Sequence, residues 1–241
     1  MLRRLFLAGL LLCHGVVAHA NDEVVFATVD SNAMPLAAYE DGQLKHGIVK
    51  DVGIAIALRL GRTARFLTLP RNRLRKALAE GQVDGNCYLL PTWMEPAALS
   101  WSRPLFPNKD MVIGRTDAAP LRSAADLADE PIGTVLGYRY PELESGLGNR
   151  FRRDDAPDMI SNLRKLAAGR VRYAIVDQLT LQYELRTTLR DFKPGPSLAV
   201  ANFAASCVFS LKGKVPAAEL QRSVDALLQD GTIDAILARY R

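Results

Sequence analysis

The 241-residue chain is poor in the residues on which much enzyme chemistry rests. It has three histidines, three cysteines and two tryptophans, and aromatic residues make up 7% of it. His14 and His19 lie in the stretch before Asn21, and His46 stands alone in a turn-like stretch. There is no His-Glu-x-x-His, no Gly-x-Ser-x-Gly and no Cys/His set at metal-ligand spacing. Metallohydrolase and serine-hydrolase chemistry therefore has no footing, and no metal or cofactor is expected. Past Ala20 no apolar run reaches the length of a membrane-spanning helix. Charge of one sign is scarce too. The formal net charge is +5, spread along the chain without a polybasic stripe, so nucleic acid is not expected as a partner. A short basic cluster, Arg150-Phe151-Arg152-Arg153, is followed at once by Asp154 and Asp155 and reads as a solvated helix end.

What is present begins with an export signature. Arg3 and Arg4 form a basic start, Leu5 to Cys13 a short apolar run, and Ala18-His19-Ala20 a small-x-small cleavage site. That order predicts a signal peptide over residues 1–20, cleaved after Ala20, and a periplasmic mature chain starting at Asn21. Cys13 is preceded by leucines, which argues against lipid attachment. Removing Arg3 and Arg4 lowers the formal charge from +5 to +3. Two cysteines then remain, Cys87 and Cys207. In an oxidising compartment an even pair suggests a disulfide, while two separate buried thiols are the alternative. Spacing in the sequence does not decide between them.

One local pattern is written twice. LAEGQVDGNCY, from Leu78, and LAAGRVRYAIVD, from Leu166, both read as a last helical turn, a glycine, a valine two positions on, then a strand. The glycines, Gly81 and Gly169, lie 88 positions apart. Around the first, strands are predicted at Val24–Val29, Ala64–Leu69 and Val83–Leu90, with helices at Val49–Leu60 and from an Asn72 cap to Glu80. Around the second, strands are predicted at Met111–Gly114, Ile132–Leu136 and Val171–Val176. A short helix opens at Ser123, another runs Met159–Ala168, and one more follows Asp177. Asp41-Gly42 reads as a hairpin turn. Cys207–Leu211 is a further strand, and the C-terminal stretch is amphipathic helix broken at Gly231. Alternating strands and helices define an α/β fold with mostly parallel sheet. Two lobes with their strand ends facing each other would enclose a ligand cleft, since ligands in open α/β sheets sit beyond the carboxyl ends of the strands. One continuous sheet with two similar units is the alternative.

The order of several motifs resembles a known family. Asp41-Gly42 and Gly47, the helix ending Leu60-Gly61, the run LPRNRLRKALAEGQVDG, then Trp101-Ser102-Arg103-Pro104-Leu105 and the late DALLQDGTIDAIL are similar to the periplasmic solute-binding proteins of family 3. Those are the amino-acid-type receptors of ABC transporters. The resemblance spans essentially the whole mature chain and implies a two-lobed type II periplasmic binding protein. The first lobe would span 21–106 plus 206–241, and the second lobe would span 107–205. The resemblance also implies that the strand returning through Cys207 runs antiparallel beside the strand holding Cys87, which would make the cysteines neighbours. In the family an arginine before the Phe-Ser-type motif clamps the ligand carboxylate. The matching place here is Glu95, or Pro96 with a one-position shift, so plain α-amino acids are expected to bind poorly. Ala33 stands where the family offers an aromatic platform. Asp177 matches the family's amine-binding aspartate.

The candidate ligand residues follow from placement at strand ends. Asp177 can accept hydrogen bonds from a cationic group, or cap the helix after it, or both. Arg139 can take a carboxylate in bidentate fashion, and Tyr138 can stack on a ring or cation, while Tyr140 reads as a surface residue. Arg71 and Asn72 start a helix, where backbone N–H groups favour anions. Tyr88 and Trp93 flank the end of a strand in the first lobe, and Trp93 serves either as a stacking platform or as packing beneath the loop. The implied function is non-catalytic: a monomer that captures a small polar or charged solute, bearing an amine or a carboxylate, between closing lobes. An inner-membrane ABC permease would be its partner. The alternatives are an exported enzyme on the same scaffold, like the cyclohexadienyl or prephenate dehydratases, and a ligand sensor without a transport role.

Overall fold

The computed structural model describes residues 23–94 and 98–240. The expected signal peptide, Glu95 and Pro96 lie outside the described residues. The chain begins with β1 (Glu23–Val29), buried along all but its first residue. A hairpin follows, β2 (Ala38–Glu40) and β3 (Gln43–His46). It turns on Asp41 and Gly42, at φ 50° and 72°, the two consecutive left-handed residues a type I′ turn requires. Next come α1 (Ile48–Arg59), β4 (Thr63–Leu69), α2 (Arg71–Glu80), β5 (Gly85–Leu89) and β6 (Leu99–Trp101).

The second run comprises β7 (Phe106–Gly114), β8 (Pro131–Val135), α3 (Pro141–Leu147), β9 (Arg152–Ala156), α4 (Met159–Ala167), β10 (Tyr173–Asp177) and α5 (Gln178–Arg186). The chain then returns along β11 (Ser197–Ser210) and closes with α6 (Ala217–Gln229) and α7 (Thr232–Ala238). Gly231, at φ 77°, separates those last two helices. Among the described residues no helix is long and apolar enough to cross a membrane.

The strand order is β4-β1-β5-β11-β7-β10-β8-β9, with β6 also on β11. β1 runs parallel to β4 and β5, and β8 parallel to β9 and β10. β7 and β11 are antiparallel to each other and join the two parallel blocks. Ser197–Ala205 of β11 pair with β7, whereas Ser206–Phe209 pair with β5. Each block is covered on both faces. In the first, α1, α6 and α7 pack on one face through Val52, Ile56, Val224 and Ile236, and α2 packs on the other through Leu74 and Leu78. In the second, α4 packs through Leu163 and Leu166, and α3 through Leu143 and Leu147. This is an α/β fold of the type II periplasmic binding protein kind, with mixed sheets flanked by helices.

Cys87 and Cys207 lie opposite each other on β5 and β11 and are joined by a disulfide. Immediately beside it the ladder slips: Cys87 faces Cys207 but Leu89 faces Ser206. Tyr88 is therefore the extra residue of a β-bulge, held at φ 77°. Two local readings of the sequence are corrected. Arg152 and Arg153 belong to the edge strand β9, not to a helix end. Their charge suits an edge, because Asp155 pairs with Arg153 at 2.8 Å and Asp154 with Lys165 at 2.5 Å. Asn72 does not cap α2; Pro70 holds that position and Asn72 is the second helical residue.

Candidate functional site

A cavity opens where β1, β5, β8 and β10 end and β7 crosses between the blocks. From the first block come Asn32, Ala33 and Leu36 after β1, Arg71 at the start of α2, Tyr88 of the bulge, and Trp93. From the second come Tyr138, Arg139 and Tyr140 after β8, Met159, and Asp177 with Thr180 at the start of α5. Asp110 of β7 completes the wall. The free space is about 30 Å³, room for little more than a water molecule. An organic ligand enters only if side chains move or the blocks part.

Aromatic rings occupy one side. Trp93 and Phe203 meet edge to face at 5.0 Å between centroids, and Tyr88 lies 6.2 Å from Trp93 and 6.3 Å from Phe203. The bulge turns Tyr88 out of the strand's alternation; a non-glycine residue in that backbone region carries strain of about 1–3 kcal/mol. The Arg71 guanidinium lies 5.8 Å from the Trp93 centroid and 5.2 Å from that of Tyr138, so one cation stacks on a ring from each block. Burial pulls Arg71 below its ordinary pKa, with Tyr138 pulling the other way. Burial raises the Tyr88 and Tyr138 phenols, which stay neutral. Tyr138 is fixed by donating to Asn32 Oδ1 at 2.8 Å.

The polar side is built on β7 and β10. Asp177 is buried and accepts from Thr180 N–H at 3.0 Å, so it caps α5 and lines the cavity at once. Its Oδ1 also accepts from Asn108 Nδ2 at 2.9 Å. The same Nδ2 lies 2.7 Å from the Tyr88 hydroxyl, linking β7 to the bulge and to the end of β10. Asp110 is the direct cross-strand partner of Asp177. It is 9% exposed, and no hydrogen bond reaches its carboxylate among the described residues. Burial foremost, then the charges of Asp177 and Glu142, push its pKa up to about 7.

Six residues singled out from the sequence thus meet in one cavity: Arg71, Tyr88, Trp93, Tyr138, Arg139 and Asp177. Asn72 does not join them. It is exposed and borders an adjoining pocket with Asp30, Ser31 and Leu136. Arg139 stands at the rim with a side chain 54% exposed and is tied to Glu144 at 2.7 Å. Tyr140, read as a surface residue, is buried, and its hydroxyl accepts from Val135 N–H at 3.1 Å. Sequence reasoning missed Asn108, Asp110 and Phe203. A signal for the first two exists: Asn108, Asp110 and Val112 fall on alternate positions, so two polar residues continue the buried face of an apolar strand.

No protein-family model matches the chain, and no curated protein matches it by sequence. Solved structures do match in shape. An ancestral arginine-binding protein bound to arginine superposes with TM-score 0.75 at 16% identity, over 92% of this chain and 99% of that one. A substrate-binding protein of an ABC uptake transporter from Streptococcus pneumoniae, with bound histidine, gives 0.73 at 16% identity, over 91% and 92%. An ancestral amino-acid-binding protein described as a precursor of cyclohexadienyl dehydratase gives 0.72 at 15% identity, over 91% and 95%. The chain therefore has the fold of the amino-acid-binding proteins of ABC transporters.

Proposed function

We propose that the protein is an exported solute-binding protein that closes two lobes, one spanning 21–106 with 206–241 and the other spanning 107–205, around a small polar or charged molecule. The observation that carries this reading is the convergence, on one cavity, of charged and aromatic side chains from both blocks. Arg71 stacked on Tyr138 and Trp93, and Asn108 held between Tyr88 and Asp177, already span the gap. Asp177 would receive an amine, Tyr88, Trp93 and Tyr138 would wall the ligand, and Arg71 would meet an anionic group. Arg139 and Asn72 would steer charge at the rim. A permease of the ABC type would take the solute from the closed monomer. The test is mass spectrometry of small molecules released from the purified, denatured protein, followed by thermal shift with what is found. A ligand at 100 times its dissociation constant should add about 2.7 kcal/mol of stability. No released molecule and no stabilisation by any metabolite pool would overturn the reading.

A second reading rests on Asp110. A buried carboxyl pushed up to about 7 is suited to general-acid work, which is what a dehydratase of the cyclohexadienyl or prephenate type would need. Product formation from such a substrate, lost in Asp110→Asn, would favour it over pure binding.

A further inference from the structure

On the far side of Arg71 lies a second hollow, of about 430 Å³. It is lined by Asp30 and Ser31 after β1, Pro70 and Asn72 around the start of α2, Leu136 after β8 and Pro157 after β9. Like the cavity, it takes residues from both blocks, and Arg71 lines the two alike. Pockets that enclose organic ligands hold about 300–1,000 Å³, so the cavity falls short by a factor of about ten while the hollow does not. The partition between them is lightly held. Among the described residues Arg71 makes no hydrogen bond or ion pair, and its guanidinium is kept in place by stacking on Trp93 and Tyr138. Gly137 sets no side chain against its stem; a Cβ there would lie 3.5 Å from the Arg71 Cβ and Cγ. The hollow is apolar where it meets solvent. Leu136 is 63% exposed, one of three large apolar side chains so exposed among the described residues, and Pro70 and Pro157 are exposed as well. Apolar surface grouped in this way marks a contact surface.

We infer that the solute is elongated: its polar end enters the cavity past Arg71, and an apolar tail lies in the hollow against Leu136, Pro70 and Pro157. This deepens the solute-binding reading and rests on it. A compact solute would leave Leu136 in water and take nothing from the larger space. A tail removes that surface from water and touches both blocks, so it adds to their closure. Arg71 suits the junction. Its aliphatic stem can lie along an apolar chain while its guanidinium stays with the polar end. Asn72, which does not reach the cavity, then borders the tail rather than the head.

The experiment is calorimetric titration of the protein starting at Asn21, freed of bound solute, with two homologous series. One is the straight-chain carboxylates butanoate, hexanoate, octanoate and decanoate; the other is the primary amines of the same lengths. At least one series should bind, and its affinity should rise about fourfold with each methylene that enters the hollow. Leu136→Asp leaves the fold alone because the side chain is exposed, and it should flatten that rise without weakening the shortest member. Leu58→Asp, at an equally exposed leucine on α1, should leave the rise intact. Affinity that does not grow with length, growth that survives Leu136→Asp, or growth that Leu58→Asp abolishes equally, overturns the inference. If neither series binds, the solute released from the protein decides: one with an apolar tail supports the inference, and one without overturns it yet leaves the solute-binding reading standing. A protein that takes no member of either series and carries no solute sinks both.

Discussion

Gly81 and Gly169 end two helices in the same way. Their φ angles are 75° and 74°. Gly81 N–H reaches Leu78 O and Gln82 N–H reaches Ala77 O. At the second junction Gly169 reaches Leu166 and Arg170 reaches Lys165, a repeat of the same two bonds. Val83 and Val171 are both buried, and β5 and β10 start at the same offset from the glycine, at Gly85 and Tyr173. From there the two regions part. Where the first has Asp84, buried and accepting from Val25 and Val215 N–H, the second has Arg172, exposed and 3.7 Å from Glu130. Where β5 carries the bonded Cys87, β10 carries Ile175. Where β5 ends in the core residue Leu89, β10 ends in Asp177. The backbone of the corner is a fixed solution to joining helix and strand; the chemistry differs in the few residues hung on it. The first corner uses its polar residue to hold the fold, and the second turns its own toward the cavity.

The largest expected break in this comparison is at the staple. The disulfide joins cysteines separated by 120 positions in sequence. Replacing both cysteines by alanine should cost about 4–5 kcal/mol in denaturant unfolding by loop-closure entropy, whereas Ile175→Val should cost about 1 kcal/mol. Asp84→Ala comes next, at about 3 kcal/mol, because it leaves two buried N–H groups unpartnered; Arg172→Ala should stay within about 0.5 kcal/mol.

A third expected outcome concerns pH. The Asp110 pKa is about 7 in the fold against an ordinary 3.8. Its protonated form therefore favours folding below pH 4, and that contribution is lost progressively as pH rises to about 7. Ligand-free protein should lose about 2 kcal/mol between pH 5 and pH 7, and Asp110→Asn should flatten that slope in thermal melts. Smallest is the difference between the glycines. A Cβ at Gly81 would lie 2.2 Å from the Lys212 carbonyl oxygen, but at Gly169 it would meet only the end of the Arg115 side chain. Both alanine variants are strained by the left-handed turn, and Gly81→Ala should be the worse by about 1 kcal/mol in denaturant unfolding.

Much of this comparison was legible in the sequence. The paired glycines, the valines and the apolar strands gave the alternation and placed six cavity residues at strand ends. Helix starts and strand lengths were less accessible. β11 runs for 14 residues where only Cys207 onward had a continuous apolar signature, because in its first half Leu198 and Val200 alternate with small residues on a surface that is at most half-buried. β9 is too charged to read as a strand and forms because β8 supplies its pairing. Asp110 was hidden for another reason. Its role depends on the register of β7 against β10, strands far apart in the sequence, and nothing local to either strand encodes that register. The Tyr88 bulge is invisible for the same reason, since it exists only relative to β11.

The double membership of β11 also has a consequence in time. Every strand of the second block has left the ribosome once Ala205 emerges, but the first block lacks a central strand until Ser210 and two of its covering helices, α6 and α7, until Ala238. The half that is synthesised first is thus completed last. Its closing pairing also joins more distant residues, so even a full-length chain released from denaturant has farther to search for it. In pulse-labelled refolding, amides of β8 and β10 should gain protection before those of β5; the reverse order would mean that the early segment forms its sheet without waiting for the returning strand.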